Sequence, residues 1–325
     1  MRGQRHRRLV ALGILIALIG LASPVLGQAY PNRQIEFVVP FAAGGGSDLL
    51  ARAIAKTVAD DRVIPVPLVV VNRPGGSGAV GWSYVLSKRG DAYFLATVSG
   101  SFWTTPLVGL APFTYKDFTA LAGLARDTFL YTVRTEATYR TLRQVVAVAR
   151  QSPELISVGG SAVASDDMVA TGLLQRAANV KFNYIPFGGS GPALTAMLGG
   201  HVSSTWLNPG EGLEQIRAGK VRALAVTSTE RLKILPDVPT FRELGYDLVW
   251  EQFRGVIMAP GVPGDAVRYM GEALLRMCRS PRWQREYVEA NVLLPACQGP
   301  EEFSRTLETI NERYRRTFQD LGVIR

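Results

Sequence analysis

The chain has 325 residues, with 36 Lys and Arg against 27 Asp and Glu, a formal net charge of +9, two His and two Cys. So few His exclude an ordinary multi-imidazole zinc centre, and no long run of Lys and Arg after residue 29 marks a nucleic-acid surface. The length allows two domains of ordinary size.

Arg2, Arg5, Arg7 and Arg8 precede an apolar run from Leu9 to Leu21. A membrane span needs about 20 apolar residues, so this run is too short. The basic start, the apolar middle and the small residues near Gly27 and Ala29 describe a secretory signal peptide over 1–29, cut after Gly27 or after Ala29. An uncleaved anchor helix is the alternative. No Cys near the cleavage region suggests a lipid anchor. The segment holds four Arg and no acid, so its removal lowers the net charge from +9 to about +5. The remainder is expected in the periplasm.

Ile35–Val39 alternates apolar side chains and ends at Pro40, which reads as a strand. Ser47 to Ala59 reads as a helix with Ser47 as its N-cap and Leu50, Ile54 and Val58 on one face. Val66–Val71, Tyr93–Val98, Ile156–Val158, Phe182–Ile185 and Leu224–Thr227 read as further strands, separated by helices near 141–151, 165–178, 190–198 and 210–218. This alternation predicts an α/β protein with mostly parallel sheets flanked by helices. Pro263 opens a helix with Val267, Met270, Leu274 and Met277 on its stripe, and a last helix from Pro300 carries Phe303, Leu307, Ile310, Tyr314 and Phe318. Leu235–Pro239 reads as a surface loop. Cys278 and Cys297 either pair across a short loop in an oxidising compartment or stay as separate buried thiols.

Four strand-to-helix turns are rich in Gly and Ser: Pro40 to Asp48, Ser99-Gly100-Ser101, Gly159 to Asp167, and Pro186 to Pro192. Strand carboxyl ends in such sheets face the ligand crevice, and helix N-termini there present unpaired N–H groups with partial positive charge. Gly allows close backbone approach and Ser adds a hydroxyl donor. The chemistry suits an anion such as a carboxylate. None of the four turns contains Arg or Lys. Asp48, Asp166 and Asp167 are also suited to complementing helix dipoles, and Phe41, Phe187, Trp103 and Trp206 to either a pocket or the core.

Enzyme signatures are absent. His201 is the one His outside the signal segment. The stretch Gly188-Gly189-Ser190-Gly191-Pro192 lacks the final Gly of a nucleophile elbow, and no Walker A sequence occurs. Gly76-Ser77-Gly78-Ala79-Val80-Gly81 matches a dinucleotide fingerprint formally, but Asn72 to Gly75 separates it from its strand and no acid follows about 20 residues on. No cofactor and no metal are expected.

From Tyr30 onward the chain resembles the substrate-binding receptors of tripartite tricarboxylate transporters, the Bug receptors. The likeness lies in Tyr30-Pro31 with Ile35 to Asp48, in Val71-Asn72-Arg73-Pro74-Gly75, in Asn183 to Gly189, in Ala196 to Val202, in Ala218 to Ser228 and in Leu235 to Thr240. Ser165-Asp166-Asp167-Met168 is similar to the tricarboxylate branch. The resemblance implies a two-lobed, type II-like Venus flytrap. Lobe 1 would hold 30–126 plus 254–325 and lobe 2 would hold 127–253, with a hinge near 125–129 and 250–255. Carried onto this chain, ligand contacts would come from Phe41, Gly45, Gly46, Ser47, Asp48 and Ser99 in one lobe, and from Ser161, Ser165, Gly188, Gly189 and Asn208 in the other. Ser203 stands where the family usually has Asp. The implied function is a monomeric, non-enzymatic receptor that delivers a di- or tricarboxylate, or an aromatic acid, to a two-component membrane permease. A sensory receptor for a carboxylate and a periplasmic enzyme are the competing readings.

Overall fold

The computed structural model describes residues 30–325, and the expected signal peptide with both cleavage positions lies outside them. In chain order the strands are β1 (Ile35–Val39), β2 (Leu68–Asn72), β3 (Phe94–Val98) and β4 (Thr119–Thr128), then β5 (Leu130–Arg134), β6 (Ser157–Gly160), β7 (Asn183–Pro186), β8 (Ser204–Leu207) and β9 (Val221–Val226), and finally β10 (Glu251–Met258) and β11 (Leu294–Gln298). They form a six-stranded sheet of order β11-β4-β10-β3-β1-β2 and a five-stranded sheet of order β7-β6-β8-β5-β9.

The two sheets repeat one plan. Strands β2, β1 and β3 run parallel, β10 lies antiparallel beside β3, and β4 follows antiparallel to β10. In the second sheet β7, β6 and β8 run parallel, β5 lies antiparallel beside β8, and β9 follows. Strand β11 is an added edge on β4. Both sheets are therefore mixed, which corrects the expectation of mostly parallel sheets. Every antiparallel pair contains β4, β5, β10 or β11, four of the five strands that the hydrophobic pattern did not reveal, the fifth being β8.

Five helices start directly beyond strand carboxyl ends: α1 (Gly46–Asp60) after β1, then, once α2 (Ala79–Leu86) has packed on the sheet, α3 (Ser101–Leu107) after β3. In the second lobe, beyond α4 (Leu142–Gln151), they are α5 (Asp166–Ala178) after β6, α6 (Ser190–Leu198) after β7 and α7 (Pro209–Arg217) after β8. The parent strands are parallel within each sheet, so the helix N-termini gather at one edge of each lobe. Helix α1 begins one residue before Ser47: Gly45 is its N-cap, with extended backbone, and Ser47 lies inside the first turn rather than capping it. That start leaves the amides of the Gly-Gly-Ser run at the helix mouth.

Helices α8 (Gly264–Cys278) and α9 (Pro300–Asp320) close the first lobe, with a short helical stretch, Pro281–Trp283 and Gln284–Glu289, between them. Phe303, Leu307, Ile310, Tyr314 and Phe318 of α9 are all buried, as their spacing of three and four predicts. Trp82, Phe102, Phe113 and Phe118 form an aromatic cluster in the same lobe, whereas Tyr131, Trp206 and Phe241 pack together in the other. Trp103 and Trp206 are thus core residues. Cys278 at the end of α8 is disulfide-bonded to Cys297 in β11, which settles the pairing left open by the sequence.

The chain passes between lobes at Phe129 and again through the segment joining β9 to β10. Thr227 ties the crossings together. Its N–H donates to Phe129 O (2.9 Å), its hydroxyl accepts from Phe129 N–H (2.9 Å), and the same hydroxyl donates to Trp250 O (2.6 Å).

Candidate functional site

A small cavity of about 30 Å³ lies where the helix N-termini of the two lobes meet. The first lobe lines it with Phe41, Gly45, Gly46, Ser47 and Ser99, and the second with Ser161, Ser165, Gly189 and Asn208. Two expected residues are placed differently. Asp48 is turned into the α1 turn, where its carboxylate accepts from Gly44 N–H (3.1 Å), Arg52 Nε (2.9 Å) and Asn72 Nδ2 (3.0 Å). It fixes the shape of the glycine turn and is held below the ordinary carboxylate range. Burial works against that charge, and the Arg52, Gly44 and Asn72 bonds outweigh it. Gly188 lends its carbonyl to Ala42 N–H (3.0 Å) across the lobes and lines a neighbouring cavity of about 370 Å³. Ser203 is away from the cleft and braces β6 against β8: its N–H donates to Ser157 Oγ (2.8 Å), and the two hydroxyls lie 3.1 Å apart.

The cleft also contains groups that sequence reasoning did not assign: Ser101, Phe129, Ser190, Glu211, Gln252 and Arg254, with Asp166 and Asp167 on the cavity wall. Arg254, on β10, is 2 % exposed. Its Nε donates to Asp127 Oδ2 (2.8 Å), Nη2 donates to the same oxygen, and Nη2 also donates to Asn208 Oδ1 (2.8 Å). Asn208 returns a bond from Nδ2 to Thr128 O (2.7 Å). The guanidinium thus joins β10, β4 and the start of α7. A Cβ at Gly46 would lie 2.8 Å from Arg254 Cζ, so the absence of a side chain at position 46 is what lets the guanidinium reach the α1 mouth.

Acidic groups surround this single guanidinium. Burial pushes Asp127 up to about 6 against the pull of Arg254. Burial lowers the basicity of Arg254, yet Asp127, Tyr287 and Glu211 together outweigh it and keep the guanidinium protonated. Asp167 is pushed by burial up to about 7, against a 2.5 Å bond accepted from Ser161 N–H. Asp166 is also raised by burial. Its Oδ1 accepts from Trp250 Nε1 (2.7 Å) and from the Tyr314 hydroxyl, so the start of α5 in one lobe is fastened to α9 in the other. Ser165 caps α5, its hydroxyl accepting from Met168 N–H (3.3 Å). Glu211 reaches across the cleft: Oε1 accepts from Gly46 N–H (2.5 Å) and Oε2 from Asn208 N–H (2.9 Å). Ser101 Oγ donates to Ala164 O (2.7 Å), another link between lobes.

Chemically the site can hold an anion. It offers the start of α1 and α3 from one side, the starts of α5, α6 and α7 from the other, several hydroxyls and one buried guanidinium. Among the described residues no group of His, Cys, Asp and Glu could hold a metal ion.

Two α/β lobes with mixed sheets, joined by two chain crossings and meeting at a polar cleft, define a solute-binding receptor of the periplasmic binding-protein fold. Residues 50–322 match the family model of tripartite tricarboxylate transporter family receptors. The chain is 34 % identical over 280 residues to Protein BugT of Bordetella pertussis (strain Tohama I), covering 82 % of this chain and 84 % of that protein. A TctC solute-binding protein from Polaromonas, solved without ligand, shares 32 % identity at a TM-score of 0.62, covering 90 % of this chain and 99 % of that one. A protein of R. palustris solved with adipate shares 26 % identity at a TM-score of 0.84, covering 90 % and 98 %. The chain belongs to the tripartite tricarboxylate transporter receptor family, and it is a binding protein rather than an enzyme.

Proposed function

We propose that this receptor works in the periplasm, closes over a small carboxylate and presents it to a two-component membrane permease of the tripartite tricarboxylate type. The observation that carries this reading is the convergence of helix N-termini from both lobes on one cavity beside the buried Arg254. A bond to a charged group contributes roughly 1.5–3 kcal/mol. Several such bonds, less the ordering cost, give affinity on the order of micromolar.

The ligand's carboxylate would contact Gly45, Gly46, Ser47 and Ser99 from the first lobe, and Ser161, Ser165, Gly189 and Asn208 from the second. Phe41 and Ser161 line both this cavity and the larger one of about 370 Å³, which includes Leu110, Val163 and Phe187. The larger space suits the body of an aliphatic or aromatic acid. The adipate held by the R. palustris relative supports a carboxylate of this class.

The repeated strand order supports a type II-like Venus flytrap, with lobe 1 as 30–126 plus 254–325 and lobe 2 as 127–253. Closure would turn about 125–129 and 250–255, next to the bonds that join Phe129, Thr227 and Trp250. The chain superposes better on the adipate-bound relative than on the ligand-free one, despite lower identity, which supports a closed arrangement. We expect a monomer. Calorimetric titration with aliphatic and aromatic mono-, di- and tricarboxylates tests the reading: saturable one-to-one binding of at least one acid is expected, and no binding across the whole panel rejects it.

A further inference from the structure

We infer that Glu211 sets the affinity of the cleft for carboxylates, because its own carboxylate occupies the α1 N-terminus at which the ligand's would bind. The inference rests on the carboxylate-receptor reading and adds a competitor built into the site.

The geometry is that of a bound acid. Oε1 of Glu211 accepts from Gly46 N–H at 2.5 Å, and Oε2 accepts from Asn208 N–H at 2.9 Å. Gly46 is the first residue of α1, so a side chain of the second lobe neutralises the helix mouth of the first. The cavity left beside it, about 30 Å³, holds roughly two waters at 10–15 Å³ each. An incoming carboxylate therefore reaches Gly46 N–H only after Glu211 swings aside.

Charge works in the same direction. Glu211 is faced by Arg254 on β10, Asp127 on β4, Asp167 on α5, Tyr287 beyond α8 and the Ser190 hydroxyl on α6. With Glu211 ionised, the acids outnumber the one guanidinium, and a further carboxylate is repelled. Burial raises the Glu211 carboxyl above its ordinary range, opposed by Arg254 and by the Asn208 and Gly46 amides. When a ligand takes the Gly46 amide, Glu211 loses a bond that favoured its charge and gains a negative neighbour. A proton from solvent then binds a Glu211 carboxylate oxygen, so carboxylate binding takes up protons and strengthens as the pH falls.

The test titrates wild type, Glu211→Gln and Glu211→Ala with adipate, citrate and benzoate at pH 7, in two buffers of different ionisation enthalpy. Glu211→Gln is expected to bind roughly tenfold more tightly, the worth of one bond to a charged group, and to take up fewer protons than wild type. Glu211→Ala, which frees Gly46 N–H outright, is expected to move in the same direction. Thermal melts check that both variants fold. Equal affinity and equal proton uptake overturn the inference while leaving the carboxylate reading intact. Weaker binding by both variants also overturns it, since Glu211 would then be a ligand contact. Failure of all three proteins to bind any acid overturns both.

Discussion

Arg254 and Asn208 belong to different lobes, and the 2.8 Å bond from Arg254 Nη2 to Asn208 Oδ1 joins them at the wall of the cleft. The same guanidinium is paired with Asp127, so one buried cation joins a strand pairing to a helix start at the wall of the candidate site.

Arg254→Leu is expected to cost about 3–5 kcal/mol in urea unfolding, because Asp127 is left buried without its partner. Asp127→Leu combined with Arg254→Leu is expected to recover most of that loss while abolishing carboxylate binding. Equal stability of the single and double variants would show that the pair is not the source of the effect.

Gly46 leaves room for the guanidinium by having no side chain. The added methyl of Gly46→Ala displaces the Arg254 guanidinium from the α1 mouth. Carboxylate affinity measured by calorimetry should fall by about tenfold or more, the loss of at least one charge-assisted bond. An unchanged Kd would mean that the amide and the guanidinium do not share the ligand.

The pH dependence of stability follows from Asp167, whose carboxyl is raised from 3.8 in the unfolded chain to about 7. A raised acid favours the fold in its protonated form. Its penalty is absent below about pH 4, grows as the pH rises from there to about 7, and is constant above. Asp167→Asn, which can still accept from Ser161 N–H, should therefore raise the urea midpoint at pH 8 and match wild type near pH 4. A gain at pH 4 that vanishes at pH 8 would reverse the assigned sign.

The disulfide closes a loop with a sequence separation of 19. Replacing both Cys278 and Cys297 by Ser should destabilise the first lobe by about 3 kcal/mol on the chain-entropy account. Ligand affinity should be unchanged, since the bond joins α8 to β11 and neither residue lines the cleft. A parallel loss of affinity would connect that edge of the sheet to the site.

Much of the candidate site was legible because its grammar is local. Gly44-Gly45-Gly46-Ser47 after Pro40, and Gly188-Gly189-Ser190 after Pro186, announce turns that open helices, and both sit at the inter-lobe junction. The error at Ser47 was one of register. Ser is the better cap in general, but Gly45 takes the extended cap conformation here and places Ser47 inside the helix. Arg254 and Asp127 were not legible, because each is isolated in its own segment and their pairing arises from strands that meet across 127 positions of sequence. Glu211 had a visible signal: Asn208 to Glu211 has capping-box spacing, and Glu211 Oε2 accepts from the Asn208 N–H at the start of the helix. Its second bond, to Gly46, depends on how the lobes meet. The mixed sheets were missed for a related reason. Strand β4 contains Thr119-Ala120-Leu121-Ala122-Gly123-Leu124-Ala125, whose small residues pack under α9 without the β-branched pattern of an ordinary strand.

The most direct measurement is a crystal structure of the protein with a bound acid, with adipate as the first choice. The expected result is carboxylate oxygens within hydrogen-bond distance of the amides at the start of α1, beside Arg254, with Glu211 turned away from Gly46. An acid bound elsewhere, with Glu211 still seated on Gly46 N–H, would contradict it.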